Sequence, residues 1–161
     1  IWLSEVILQQ TRVQQGLPYF ERFVEQFPTV HHLANATLEE VMQCWQGLGY
    51  YSRARNLHEA SKQLVQQFGG VFPASYDQLR SLKGVGPYTA AALASFAFDL
   101  PHAVVDGNVY RVLSRHFGLR LPIDHAPSQK TYTELAQKLL PKRYAADFNQ
   151  AIMAFGAMHC L

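Results

Sequence analysis

The sequence has 161 residues, of which 48% are hydrophobic and 16% charged, and this balance excludes an intrinsically disordered chain. Its 14 lysines and arginines against 12 aspartates and glutamates leave a formal net charge of +2, so any nucleic-acid partner must be held by a local patch. No apolar run is long enough to cross a membrane, no signal peptide is visible, and two distant cysteines, Cys44 and Cys160, do not make a disulfide scaffold.

Helical periodicity dominates the chain and no long alternating strand pattern occurs, which predicts an all-α fold. The first two predicted helices cover 1–15, closed by Leu17-Pro18, and 19–27, ended by Pro28. Thr37-Leu-Glu-Glu40 and Ser75-Tyr-Asp-Gln78 both have the spacing of a capping box. The remaining predicted helices, in chain order, cover 37–45, 51–68, 75–82, 87–98, 106–117, 128–140 and 145–158.

The segment LKGVGPY, residues 82–88, places two glycines and a proline between two predicted helices. A dinucleotide-binding fold needs a strand before such a loop, and a P-loop needs Gly-Lys-Ser/Thr at its end; both are missing. A helix-hairpin-helix remains, whose turn directs backbone N–H groups and the positive end of a helix dipole toward an anion. A plain turn and a phosphate site both fit these residues.

Two acidic residues stand out because of their neighbours. On a helix, Glu5 shares a face with Trp2 and Leu8, and a carboxyl group partly removed from water has the raised pKa that suits a general acid. An exposed glutamate at the edge of an amphipathic helix explains the same pattern. Asp106 precedes a predicted helix, where it fits an N-cap, although a carboxylate facing a cleft also stabilises positive charge. The residues alone leave these alternatives open.

Residues 48–56, LGYYSRARN, interleave tyrosines with arginines. Tyrosines such as Tyr50 stack on or wedge between bases, and arginines such as Arg53 neutralise phosphates. Tyrosine packed in the core with arginine in solvent is the alternative. The seven histidines show no metal-ligand spacing, and Cys44, beside Trp45, fits a small core residue.

Five segments occur together in an order found in one family: SEVILQQT, LGYYSRARNL, LKGVGPYTA, VVDGNVYRVLSR and FNQAIMAFGAMHC. Over essentially the whole chain, they resemble the helix-hairpin-helix DNA glycosylases, and within these the MutY-type adenine glycosylases. The resemblance implies two helical lobes with the active site and DNA cleft between them. The first lobe is 1–100, with the hairpin motif at 82–90, and the second, 101–161, is the truncated remnant of an iron-sulfur-cluster lobe.

The resemblance also implies roles for individual residues. Glu5 is the general acid, Asp106 the catalytic carboxylate and Tyr88 the third residue of the catalytic site, while Leu8 and Gln150 bind the base. Gln10 and Tyr50 enter the duplex near the lesion, and the hairpin can hold a monovalent cation. The full set implied to contact DNA is Gln10, Thr11, Tyr50, Ser52, Arg53, Leu82, Gly84, Val85, Gly86, Tyr88, Thr89 and Asn108.

The implied reaction is base-excision repair of adenine mispaired with 8-oxoguanine or G. The partner is double-stranded DNA with a flipped adenine, bound by a monomer in the bacterial cytoplasm at the nucleoid, with no membrane. Lyases of the endonuclease III type carry a Schiff-base lysine at the position of Tyr88, and a phenol forms no imine, so the implied enzyme is monofunctional and leaves an abasic site.

Two other functions stay open. A thymine glycosylase for G·T mismatches also carries tyrosine in the hairpin and aspartate in the VD motif, although Gln9-Gln10 and Gly49-Tyr50-Tyr51 favour the adenine enzyme. A helix-hairpin-helix module that binds DNA without catalysis is the third candidate.

The sequence departs from the family pattern at its C-terminal end. Family members continue past a cysteine like Cys160 with three more and bind a [4Fe-4S] cluster. Only that first ligand is present here, so we expect the cluster in a full-length protein and not from this chain alone. A chain that begins at Ile1 and stops in mid-pattern is expected to be a piece of a longer protein.

Overall fold

The computed structural model describes residues 1–160, and within them the chain is helical without a strand, which confirms the all-α prediction. None of the helices in this part of the chain combines the length and apolarity that a membrane crossing requires. In chain order they are α1 (Trp2–Ile7), α2 (Val13–Gln26), α3 (Val30–Asn35), α4 (Leu38–Trp45), α5 (Ser52–Phe68), α6 (Tyr76–Ser81), α7 (Pro87–Phe98), α8 (Gly107–Phe117), α9 (Ala126–Leu139) and α10 (Ala145–Met158).

The predicted single helix over 1–15 is wrong. The chain leaves α1 after Ile7 and begins α2 at Val13, and between them Gln10 adopts a left-handed backbone with φ of 55°. Pro18 does not close a helix either, because it lies inside α2. Tertiary packing overrides the local preference here, since α2 buries Gly16 against α1, where an added Cβ would lie 2.9 Å from the Ile7 side chain.

Helix starts follow the capping chemistry with two differences from prediction. The capping box of Thr37 and Glu40 is formed in both directions, as predicted. The predicted box at Ser75 is wrong, because α6 begins there without a side-chain cap from that residue. The short helix α3 was not predicted. The side chain of Thr29 caps its N-terminus, and only Leu33 and Ala34 of its residues are buried.

Contacts divide the chain into two compact units, Ile1–Thr89 and a second unit that begins at Ala90. This boundary lies within α7, and the functional division expected after residue 100 stays a prediction. The core of the first unit is built from Ile7, Phe23, Val41, Trp45, Leu57, Leu64 and Leu79, each at most 1% exposed. The core of the second unit contains Ala103, Val109, Leu113, Tyr132, Ala136, Leu140 and Ala145.

Candidate nucleic-acid and catalytic site

The hairpin between α6 and α7 is a tight turn with a closed interior. Leu82 and Val85 are 3% and 4% exposed, and the Val85 N–H donates to the Leu82 carbonyl at 3.1 Å. Gly84 has φ of 74°, and a Cβ there would lie 2.6 Å from the Asn56 Cβ, so both conformation and space require glycine. Because the two apolar side chains are buried, neither is available to a ligand, and the Val85 N–H is already used within the turn.

The N-terminal turn of α7 follows directly. Pro87 stands at its first position, and Gly86 has open space where a Cβ would be. The first N–H groups of a helix have no intrahelical partner and carry the positive end of its dipole. Tyr88 is half-buried, whereas Thr89 is 3% exposed and its Oγ1 accepts from Gln9 Nε2 at 3.4 Å. The turn and the helix start fit both interpretations of the sequence, a phosphate site and a plain turn.

A monovalent cation does not fit this hairpin well. Arg80 Nη1 donates to the Val85 carbonyl at 2.7 Å, so that oxygen already faces a positive charge. A second cation on the same oxygen would be repelled by the guanidinium. The Val85 carbonyl is therefore not available to the cation that the family resemblance allows.

Glu5 lies in the middle of α1 and is half-buried. Burial raises the pKa of its carboxyl group. The desolvation expected from the sequence is therefore present, and a carboxyl group in this environment retains its proton to higher pH than an exposed glutamate.

An apolar cavity of about 240 Å³ opens next to α1. Leu8, the predicted base-binding residue, is 36% exposed and forms part of its wall. A wall of this kind offers contact to the face of a planar ring. The complete lining consists of Ser4, Ile7, Leu8, Val13, Gly16, Leu17 and Phe20.

Two exposed loops of the first unit carry left-handed residues. Gln10 is exposed with φ of 55°, and Tyr50 is 63% exposed with φ of 48°. Residues other than glycine seldom adopt this conformation, and those that do occur most often at functional sites. Thr11 is half-buried beside Gln10, and Ser52 is exposed at the start of α5. Both loop tips thus present side chains to solvent.

Arg53 is not placed as an exposed phosphate contact. It is 7% exposed, and its guanidinium donates to carbonyl groups of the Leu8–Arg12 and Gly47–Tyr50 loops and their neighbours. Its Nε is buried with no hydrogen-bond partner within residues 1–160.

In the second unit, Asp106 is the N-cap of α8, as one of the two interpretations of the sequence required. Its Oδ1 accepts the Val109 N–H at 2.8 Å, and its Oδ2 accepts Asn108 Nδ2 at 2.9 Å. A carboxylate has about four lone-pair positions, so the two bonds orient Asp106 and leave acceptor capacity. Asn108, implied to contact DNA, thus also fixes the carboxylate.

Sequence reasoning missed Asn149, which is 2% exposed on α10. Its Oδ1 accepts the Val104 N–H at 3.1 Å, and its Nδ2 donates to Ser95 Oγ at 2.8 Å and to the His102 carbonyl at 2.9 Å. Asn149 thereby holds the segment that leads to Asp106. The only signal in the sequence was an amide among apolar residues of a helix. Gln150, the predicted base-binding neighbour, is exposed.

The cysteines do not supply an iron-sulfur site by themselves. A [4Fe-4S] cluster needs four ligands and the sequence has two cysteines, of which Cys44 is buried and donates from Sγ to Gln26 Oε1. Cys160 is half-buried, and its Sγ lies 3.4 Å from Arg115 Nη1. Among residues 1–160 no group of three or more His, Cys, Asp or Glu is arranged to hold a metal ion.

Comparison with known proteins places these features in a family. The adenine DNA glycosylase of Homo sapiens is 46% identical over 99% of this chain, and the chain covers 30% of that protein. The adenine DNA glycosylase of Buchnera aphidicola subsp. Baizongia pistaciae is 39% identical over 99% of this chain, and the chain covers 45% of that protein. The chain thus spans less than half of either relative. A thermostable thymine-DNA glycosylase structure matches 99% of this chain and 74% of its own, with TM-score 0.88 and 29% identity. The structure of endonuclease III in a non-covalent DNA complex matches 99% of this chain and 73% of its own, with TM-score 0.85 and 28% identity.

The family model described as HhH-GPD superfamily base excision DNA repair protein matches residues 3–142, which include the helix-hairpin-helix, Glu5 and Asp106. The match covers most of the chain and agrees with the helical architecture and with the hairpin geometry. The chain belongs to the HhH-GPD superfamily of base excision DNA repair proteins.

Proposed function

We propose that this chain is the catalytic part of a DNA glycosylase that hydrolyses the N-glycosidic bond of adenine mispaired with 8-oxoguanine or guanine. The observation that carries the proposal is the similarity to proteins named adenine DNA glycosylase over 99% of the chain. The proposed partner is double-stranded DNA, from which the adenine is flipped out at a cost of a few kcal/mol of unstacking.

Glu5 is the proposed general acid. Adenine is a poor leaving group as an anion and a good one once its ring is protonated, so Glu5 donates a proton to N7 as the bond to C1′ breaks. The base departs neutral, and Glu5 is left ionised. The carboxylate then accepts a proton from the water that attacks C1′, which restores the acid. Burial supports this role because it raises the pKa of Glu5.

Asp106 is proposed to stabilise the sugar. Breaking the bond leaves positive charge at C1′ and O4′, and a fixed carboxylate lowers the energy of that state. The bonds from Val109 and Asn108 support the role because they orient Asp106 before substrate arrives. A group that needs no reorganisation contributes more to catalysis than a mobile one.

Tyr88 makes the proposed enzyme monofunctional. A phenol cannot form the imine through which an amine nucleophile cleaves the strand. Borohydride treatment during the reaction should therefore trap no covalent protein–DNA complex. A trapped complex that depends on Lys83, the lysine nearest in sequence, would contradict this part of the proposal.

A thymine glycosylase for G·T mismatches is the second candidate. It is favoured by one observation, the TM-score of 0.88 to the thymine-DNA glycosylase structure. Its identity of 29% is lower than the 39% and 46% found for the adenine enzymes.

The deciding experiment is base release under single-turnover conditions on three duplexes, with A opposite 8-oxoguanine, A opposite G, and T opposite G. Adenine release, with strand scission only after alkali, is the expected result. Thymine release would replace the first candidate by the second. DNA binding without release of any base, matched by a Glu5→Gln/Asp106→Asn variant, would show a non-catalytic binding module.

A further inference from the structure

Arg53 joins two separate loops through one guanidinium. Its Nη1 lies 2.7 Å from the Ile7 carbonyl and 2.6 Å from the Gln9 carbonyl, and its Nη2 lies 3.2 Å from the Gly49 carbonyl. Nη1 also lies 3.2 Å from the Val6 carbonyl and 3.3 Å from Thr11 Oγ1. Carbonyls at the end of α1 and in the loop before α5 thus share a single cation.

Two of these carbonyls belong to the peptide units that precede the left-handed residues. The Gln9 carbonyl is part of the peptide bond to Gln10, and the Gly49 carbonyl is part of the peptide bond to Tyr50. The peptide unit is planar, so a hydrogen bond that fixes the carbonyl also fixes the N–H of the next residue and restrains the φ angle of that residue. Arg53 therefore acts on the backbone directly at both strained positions.

Aromatic rings enclose the same guanidinium. Its central carbon lies 5.1 Å from the Trp45 ring centroid and 5.4 Å from the Tyr50 ring centroid. Trp45 is fully buried and Tyr50 is 63% exposed, so the cation contacts one ring in the core and one that faces solvent. Trp45 Nε1 adds a bond to the Gly49 carbonyl at 2.9 Å.

The placement of Arg53 is costly for α5 itself. It stands in the first turn of α5, where the helix dipole disfavours a cation, and every acceptor described for it is neutral. A buried guanidinium without a carboxylate is more expensive than an apolar side chain of similar volume. The same guanidinium also bonds to the last carbonyls of α1, at Val6 and Ile7, where the negative end of that helix dipole favours a cation.

We propose that Arg53 is a positioning residue that pre-organises Gln10 and Tyr50 for entry into mispaired DNA. The inference rests on the proposed function for its DNA step, in which Gln10 and Tyr50 have the roles that the family resemblance implies, although the pre-organisation itself is a property of the free protein. Ordering two exposed side chains before binding removes an entropic cost that binding would otherwise have to offset.

The first test is hydrogen–deuterium exchange of the free full chain carrying Arg53→Met or Arg53→Lys. Amides of residues 8–12 and 47–51 should exchange at least about tenfold faster in Arg53→Met, with the rest of the first unit unchanged. In Arg53→Lys, the exchange rates of these amides should lie between those of the unsubstituted chain and those of Arg53→Met. Arg55→Met removes the same charge from an exposed position on α5 and should leave both loops protected. Unchanged loop exchange in both Arg53 variants, or a uniform loss of protection in Arg53→Lys, would overturn the proposal.

The second test is binding to two duplexes of one sequence, with the target base opposite 8-oxoguanine or opposite T. The target is 2′-fluoro-2′-deoxyadenosine, whose fluorine resists formation of the sugar cation and prevents cleavage. Arg53→Met should lose about tenfold in affinity for the mispaired duplex while its affinity for the paired duplex stays within about twofold. A parallel loss on both duplexes would refute a positioning role. If the unsubstituted chain does not prefer the mispaired duplex, the proposed function fails, and exchange alone decides on Arg53.

Discussion

Replacing Asn149 by alanine tests how the approach to Asp106 is held. The substitution removes three hydrogen bonds and leaves the buried Val104 N–H without its acceptor. The Val104 N–H, left buried and unpaired, costs about 1–3 kcal/mol, and the other two bonds contribute about 1 kcal/mol each, so the free energy of unfolding should fall by about 3–5 kcal/mol. Such a loss is large beside a total stability of about 5–15 kcal/mol.

Denaturant unfolding followed by circular dichroism measures the change as a shift in midpoint at constant slope. Gln150→Ala is the matched control, because it truncates the exposed neighbour on the same helix and should change the unfolding free energy by less than about 0.5 kcal/mol. Asn149→Asp keeps the acceptor for Val104 but faces the His102 carbonyl with a second acceptor, so it should also destabilise. A cost below about 1 kcal/mol for Asn149→Ala would show that the amide does not hold this segment.

Three further changes test separate parts of the site. Burial raises the pKa of Glu5, so the rate of single-turnover base release should decline as pH rises through that pKa. The Glu5→Gln variant should lose this decline. A pH–rate profile of Glu5→Gln that differs from the original only in amplitude would contradict the general-acid role. An added Cβ at Gly156 would lie 2.7 Å from the Asn108 carbonyl, so Gly156→Ala should destabilise by about 1–3 kcal/mol in thermal denaturation, whereas Gly107→Ala, with open space, should not. Burial lowers the pKa of His58 below its ordinary 6.5, so the unfolded chain binds that proton first as pH falls. Stability should then be full above about pH 6.5 and decrease below it, and His58→Gln should flatten the decrease in urea titrations across pH.

Features that depend on neighbouring residues could mostly be predicted from the sequence, the capping box expected at Ser75 being the exception. The hairpin, the capping box at Thr37 and the cap at Asp106 each follow from residues within a few positions of one another. Each is a local hydrogen-bonding pattern that the residue types on their own specify. For that reason their positions were predicted to within one or two residues.

Features that depend on distant residues could not be predicted. The break after Ile7 is stabilised by Arg53, which is 46 positions away from its partner there. Asn149 acts on groups 45 to 54 positions away, and Gly16 permits an approach that only the folded chain reveals. Periodicity carries no information on such partners. For the same reason, the sequence predicted Arg53 at the surface, whereas its side chain is buried.

The left-handed backbone at Gln10 and Tyr50 sets the stability of the protein against the role in DNA binding proposed for these two residues. Glycine adopts this conformation without the penalty of about 1–3 kcal/mol that other residues carry, so glycine at either position is compatible with the observed backbone. It would also delete the side chain that the loop presents. Selection for thermal stability alone would therefore favour glycine at both positions, and thermostabilised variants chosen without a DNA-repair assay should lose these two side chains first.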